Sequence, residues 1–317
     1  MQEWRNPDNR DTWSYLTSGE YHDGACPNST SWRDFFLYSC VKARDEYGID
    51  GFYYDFGTVM GCSNPVHGCG YMHNKDKRAT YPIFSDRELR KNIYILLSQH
   101  KQPYFVYHNY SNIVAPITSF SNMTLDGEAY QQKTGVVGNK ITNDYSEMIP
   151  MPRLRAMFGT QFGTTPYFLA KFNAEDEKLV KPTRTILAMT LPCGIQVWGF
   201  YCNTPELNKV YGAQDSFKFT ESTFTPYWKH NKAFTAGNSD IIAGFWKKPD
   251  SALVVLSNLT GKDYDGPVTI NAGRLFKKVT ALKVTDTATG EQIPVVNNTI
   301  QLKIESKDFR MLKVQAD

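Results

Sequence analysis

The sequence predicts an α/β fold, a (β/α)8 TIM-type barrel incomplete at its N-terminus over residues 1–237, followed by an all-β sandwich over residues 238–317. Three observations carry this expectation. Strand-length apolar runs alternate with helix-length segments through the first part of the chain, the pattern of a parallel sheet with helical crossovers. One of these strands, inside GIDGFYYDFGTVMGCSNPVHGCGY (48–71), ends on Asp55 and runs into a long polar loop, and a carboxylate at a strand's C-terminal tip is where an α/β barrel places its chemistry. From about residue 238 the texture changes to short β-branched segments separated by Gly, Asp and Asn turns.

Residues 1–30 are rich in Asn, Asp, Gly and Ser and predict irregular structure, with SGEYHDGACPNST (18–30) as a surface loop or an active-site loop. A helix is predicted over 31–47, with Trp32, Phe35, Phe36, Tyr38 and Val41 near its apolar side and Gly48 as its C-cap. Ile49, Phe52, Tyr53 and Tyr54 then form a buried strand, and alternation puts Gly51, Tyr53 and Asp55 on one face. The loop that follows, 56–84, is far longer than the ~2–6 residues usual in an α/β unit. Helix 85–100 carries Ser85 as N-cap and Glu88 three residues on, the signature of a capping box.

Further strands are predicted at 103–108, 122–126, 165–172 and 194–198. The helices between them fall at 112–120, 175–189 and in the second part of 144–158, where Pro150 and Pro152 confine it. Another begins at 205 and continues after a break over 225–234. This makes five βα units where a closed barrel needs eight, so the chain is expected to be the C-terminal part of a larger barrel protein or to close its sheet in an unusual way. The final FRMLKVQ segment is expected to lie on the barrel as a lid.

Composition narrows the function. Aromatic residues reach 14%, enough to build stacking surfaces for ring-shaped ligands such as sugars as well as a core. The net charge of +3 is small and scattered, which argues against nucleic acid and against a polybasic membrane surface, and no apolar run approaches the ~20 residues of a membrane span. Six cysteines are too few for a disulfide scaffold. Sequons begin at Asn28, Asn109, Asn122, Asn258 and Asn297. The glycine-rich nucleotide loops, the G-x-S-x-G elbow and the H-E-x-x-H helix do not occur, and no cofactor is expected.

Three constellations could carry chemistry. The first is a set of strand-tip carboxylates, Asp55 together with Asp126 and Glu128, because glycoside hydrolysis needs one carboxyl group to protonate the leaving oxygen and another to stabilise or attack the anomeric centre. The competing reading is that they are turn or cap residues. The second is Cys62, His67, Cys69 and His73, spaced C-x4-H-x-C-x3-H, which could hold zinc, form a Cys62–Cys69 disulfide or remain as free thiols. The third is aromatic and amide material near strand tips, Tyr107, His108 and Asn109, then Trp198, Tyr201 and Asn203, with Tyr53 beside Asp55 and His67 in the long loop as further sugar contacts. For Tyr107, core packing is the better explanation.

The sequence GIDGFYYDFG followed by CSNPVHGCGY, then the RELRKNIY helix, the LDGE tip and the terminal sandwich, resembles the C-terminal portion of bacterial (β/α)8 glycoside hydrolases related to the β-N-acetylgalactosaminidase family. More distantly, the aromatic strand ending in Asp is similar to the α-galactosidase clan and the endo-α-N-acetylgalactosaminidases. The resemblance implies a secreted or periplasmic glycosidase acting on a carbohydrate that contains galactose or N-acetylgalactosamine. It implies Asp55 as nucleophile and Asp126 or Glu128 as acid/base in a retaining double displacement. The β-N-acetylgalactosaminidase comparison implies instead an adjacent Asp-Glu pair and a substrate acetamido nucleophile, and this chain departs from it with Asp126-Gly127-Glu128. Two other readings stand beside it, a non-catalytic carbohydrate-binding protein and a metal-dependent hydrolase built on the Cys/His loop.

Overall fold

The computed structural model describes residues 3–11, 22–55, 57, 59–99, 104–109, 113–128, 130, 136–137, 140–141, 143–159, 163–172, 176–229, 232–237 and 240–317. Residues 18–21 of the N-terminal loop therefore lie outside the described residues. The chain forms two compact units, Met1–Leu125 with Gln161–Thr165, and Asp126–Thr160 with Pro166–Asp317.

In the first unit β1 (Arg5–Asp11) pairs antiparallel with β2 (His22–Ala25). Helix α1 (Thr30–Tyr47) stops at Gly48, whose left-handed φ of 64° lets its N–H reach the Arg44 carbonyl, as the sequence predicts. Strand β3 (Gly51–Tyr54) follows, and the long loop holds a 3-10 turn at Pro65–His67 and a hairpin, β4 (Tyr71–His73) with β5 (Asp76–Arg78). Helix α2 (Ile83–Ser98) begins earlier than predicted and without the capping box. Pro82 stands at its N-cap, because a proline at the entry forfeits no intrahelical hydrogen bond, and the Ser85 hydroxyl donates to the side-chain oxygen of Asn28 instead.

Strand β6 (Tyr104–His108), the single turn α3 (Ala115–Thr118) and β7 (Met123–Asp126) complete this part of the chain. β3 and β6 pair in parallel from Gly51↔Tyr104 to Tyr54↔Tyr107, and β6 pairs with β7 from Val106↔Met123 to His108↔Leu125. Leu89, Ile93, Leu96 and Leu97 recur at helical spacing along α2 and bury against Cys40 of α1 and Phe105 of β6.

In the second unit β8 (Val136–Val137) and β9 (Lys140–Ile141) form a small hairpin. The segment after it makes two short helices, α4 (Tyr145–Met148) and α5 (Met151–Phe158), because Pro150 is extended between them. Asp144 caps α4 by accepting from the Ser146 N–H at 2.9 Å, so the first portion of 144–158 is helical as well as the second. β10 (Thr165–Leu169), α6 (Val180–Thr190), β11 (Gln196–Trp198) and α7 (Thr204–Phe217) follow, with β10 and β11 parallel from Tyr167↔Gln196 to Leu169↔Trp198.

The helix expected over 225–234 does not form. The described part of that stretch ends β12 (Thr223–Thr225), makes a 3-10 turn at Tyr227–Lys229 and begins β13 (Phe234–Ala236). Both strands are taken up by sheets, β12 against Lys247–Phe245 and β13 against Ile270–Val268.

The C-terminal strands are β14 (Ile241–Lys247), β15 (Ser251–Asn258), β16 (Tyr264–Ile270), β17 (Leu282–Asp286), β18 (Gln292–Ile293), β19 (Thr299–Ile304) and β20 (Asp308–Ala316), with the turn α8 (Ala272–Leu275) after β16. They make an antiparallel sheet ordered β12-β14-β15-β20-β17-β18 and a smaller one ordered β13-β16-β19, with a common apolar core. β15 is buried at every position: Ala252, Val254 and Leu256 enter that core, while Leu253 and Val255 pack on the other face with Ile186 and Leu187 of α6. Burial on both faces explains its unbroken apolar run. The expected lid, FRMLKVQ, is an interior strand between β15 and β17, with Phe309 and Met311 on one face and Leu312 and Val314 on the other.

Ion pairs fasten α6, α7 and β20. Arg184 meets Glu206 at 2.7 Å and Asp308 at 2.8 Å, and Lys209 meets Glu206 at 2.5 Å. Burial alone would raise the Glu206 carboxyl, but hydrogen bonds from Lys209 and Arg184 outweigh it and hold it below the ordinary carboxylate range. A folded value below the unfolded one of about 4.3 contributes stability that is complete above that pH and is lost as pH falls through the folded value. Glu206→Gln is therefore expected to flatten the loss of unfolding free energy between about pH 5 and about pH 3. Urea unfolding of both proteins across that window checks it, and an unchanged pH slope would remove Glu206 from the account.

Among the described residues no helix is long and apolar enough to cross a membrane. Asn109 and Asn258, two of the sequon asparagines, are 2% and 1% exposed, so neither amide is accessible for glycosylation in the folded chain.

Candidate active site

Asp55 leaves the end of β3 and Tyr53 sits two residues before it on the same face, while His108 closes β6 at the neighbouring register. The three polar ends converge. His108 Nδ1 lies 2.9 Å from Asp55 Oδ1 and 2.6 Å from Tyr53 Oη, and the Tyr53 hydroxyl donates to Asp55 Oδ1 at 3.2 Å. With the proton on Nδ1, Asp55 accepts from both partners. The His108 ring is buried while Asp55 is half exposed, so a fixed ring holds a carboxylate that faces outward.

Asp55 opens onto a cleft of about 380 Å³ lined by Trp32, Phe36, Tyr53, Tyr54 and, from the long loop, Met60. At its floor lies the buried pair Asp86–Arg90, with Nε to Oδ1 at 2.9 Å. The Arg90 guanidinium stacks on Tyr54 and Tyr107, 3.4 and 4.5 Å from the ring centres. Tyr107 is thus a buried platform for Arg90, as core packing predicts, and Gly57 is required beside it because a Cβ there would run into the Tyr107 ring. Among the described residues Asn109 Oδ1 and Arg90 Nη1 are buried with no hydrogen-bond partner.

The other carboxylates belong to the second unit. Asp126 closes β7, is buried and accepts from the Gly127 N–H at 2.7 Å. Gly127 has φ 125°, and a Cβ would lie 2.8 Å from the Leu169 carbonyl oxygen, so the LDGE tip needs glycine there. Glu128 Oε1 pairs with Lys171 Nζ at 2.8 Å, and the ammonium lies 5.4 Å from the Tyr201 ring centre. Tyr145 fixes the Lys171 backbone by accepting from its N–H at 2.8 Å and donating to its carbonyl at 3.0 Å. Trp198 ends β11 with its side chain 41% exposed. Sequence reasoning missed Lys171, although it follows the end of β10 as Asp55 follows β3.

The long loop makes a third group. His67, Cys62 and Cys69 come together as the spacing predicts, but His73 lies on the exposed strand β4 and takes no part. Its place is filled by Cys26, from the segment before α1. The ligand atoms of Cys26, Cys62, His67 and Cys69 all lie within 4.8 Å of one another, and all four residues are buried. The Cys62–Cys69 disulfide is absent, since both are free thiols. Burial pushes the Cys26 and Cys62 thiols up. The overlooked signal for Cys26 is the repeated Cys-x-Asn, CPN at 26–28 and CSN at 62–64, which turns a backbone N–H back toward each sulfur.

Parallel strands with helical crossovers, polar side chains after the strand C-termini and a terminal antiparallel domain define the α/β barrel class followed by a β-sandwich. Solved glycoside hydrolases share this fold. An α-amylase from Anoxybacillus, described as a new glycosyl hydrolase subclass, has a TM-score of 0.58 at 8% identity, covering 100% of this chain and 71% of its own. The α-amylase of Geobacillus thermoleovorans, complexed with acarbose, has a TM-score of 0.56 at 11% identity over 100% of this chain and 72% of its own. A GH27 β-L-arabinopyranosidase from Geobacillus stearothermophilus has 0.54 at 9% identity, over 99% and 67%. No family profile and no curated protein matches the sequence.

Proposed function

We propose that the protein is a glycoside hydrolase that cleaves O-glycosidic bonds of an oligo- or polysaccharide. The observation that carries this reading is Asp55, oriented by Tyr53 and His108 at the mouth of an aromatic cleft. A sugar stacks its C–H face on such rings while a held carboxylate addresses its anomeric carbon. The fold shared with amylases and a GH27 enzyme supports the same chemistry.

In the proposed double displacement Asp55 attacks the anomeric carbon as the acid/base gives its proton to the departing oxygen. Water then adds to the glycosyl-enzyme, losing its proton to the same acid/base and releasing Asp55. The resemblance gives the acid/base role to Asp126 or Glu128; within the second unit Glu128 is the one whose side chain reaches solvent, where it pairs with Lys171. Asp126, buried and bonded to the Gly127 amide, positions the tip.

The test is a panel of aryl α- and β-glycosides that includes galactosides and N-acetylgalactosaminides. Glu128→Gln is expected to lose about 10²- to 10⁴-fold in kcat/KM on poor leaving groups and far less on activated ones, because only the former need a proton. The same leaving-group dependence in Asp126→Asn, with Glu128→Gln unaffected, would exchange the two roles. Full activity in both variants would end the reading.

A further inference from the structure

We propose that Cys26, Cys62, His67 and Cys69 form a structural zinc site. The inference stands on the first unit alone and does not depend on the glycosidase reading. A tetrahedral zinc with Zn–S of about 2.3 Å and Zn–N of about 2.05 Å sets its sulfurs about 3.8 Å apart and a sulfur and a nitrogen about 3.6 Å apart. The Cys26 and Cys69 sulfurs are 3.8 Å apart, and Cys62 Sγ is 3.6 Å from His67 Nδ1.

The surroundings fit the same ion. His67 Nε2 contacts the Glu3 carbonyl, which can only accept; a proton on Nε2 satisfies that carbonyl and leaves the Nδ1 lone pair for the ion. Binding would release three thiol protons and leave three thiolates and one neutral imidazole on a divalent cation, a net charge of −1. The Asn28 and Asn64 backbone N–H groups, 3.4 Å from Cys26 Sγ and 3.5 Å from Cys62 Sγ, offset that charge. Four protein ligands, each no more than 8% exposed, leave no coordination position for water or substrate. The site is therefore structural and does not serve a metal-dependent hydrolase. It joins the loop to the N-terminal segment, which also meets it where the Asn6 side chain donates to the Gly61 carbonyl at 3.0 Å and the Ser63 N–H donates to Asp8 at 2.5 Å.

The test is elemental analysis of the full chain, purified under reducing conditions without added metal, beside Cys26→Ser and His73→Ala. One zinc per chain is expected in the wild type and in His73→Ala, and little in Cys26→Ser. Exchange with cobalt should give intense sulfur-to-metal charge transfer and the visible bands of a tetrahedral ion, a signature that stands even if Cys26→Ser fails to fold. Removing zinc with a chelator should lower the thermal midpoint, and adding it back should restore it. A wild type free of zinc that neither takes up zinc nor gives the cobalt spectrum overturns the proposal. So does loss of zinc from His73→Ala, or a disulfide among the three cysteines in the metal-free native protein.

Discussion

Asp55→Asn is expected to reduce kcat/KM on a responsive aryl glycoside by roughly 10⁴-fold or more while the protein stays folded. An asparagine side chain keeps the shape and, through its Oδ1, still accepts from Tyr53 and His108, so the local hydrogen bonds survive. The amide, however, is no nucleophile. Asp55 is half exposed, so the exchange should leave the unfolding midpoint nearly unchanged, which separates lost chemistry from lost structure. Removing the side chain with Asp55→Gly and adding azide should restore turnover and yield a glycosyl azide of inverted configuration, because the small anion occupies the vacated nucleophile position. Retention of a tenth or more of wild-type activity in Asp55→Asn would exclude Asp55 as nucleophile.

The largest stability effect is expected at Asp86. Its carboxylate is the ion-pair partner of Arg90, and the two side chains are 5% and 2% exposed. Removing the anion by Asp86→Ala leaves a buried guanidinium that, among the described residues, keeps the faces of Tyr54 and Tyr107, an arrangement that costs about 3–5 kcal/mol. Taking out both charges should cost less, since the desolvation of Arg90 is then removed together with its partner, so Asp86→Leu with Arg90→Met should recover much of the loss. Urea unfolding of the wild type and the two variants measures this. A loss below about 1 kcal/mol in Asp86→Ala would mean that water or another group compensates Arg90.

What the sequence determined by itself is whatever local periodicity and backbone chemistry encode. All five parallel strands appear where their apolar runs place them, α1 ends on Gly48, and the β-branched segments after residue 238 form antiparallel sheets. Asp55 was legible for the same reason, because the length of one strand fixes which residue stands at its tip.

What failed was decided by partners distant in sequence. The segment 225–234 is expected to continue a helix, yet the edges of two sheets draw its ends into β12 and β13. Ser85 has the pattern of a capping residue but bonds Asn28, because α1 and α2 stand side by side. His73 has ligand spacing from Cys69, but the β4–β5 hairpin carries it to the surface, and β1 and β2 bring Cys26 to the loop in its place. Spacing along a chain fixes which side chains share a face, whereas a four-ligand centre or a buried ion pair needs directions in space that only the packing of separate elements supplies.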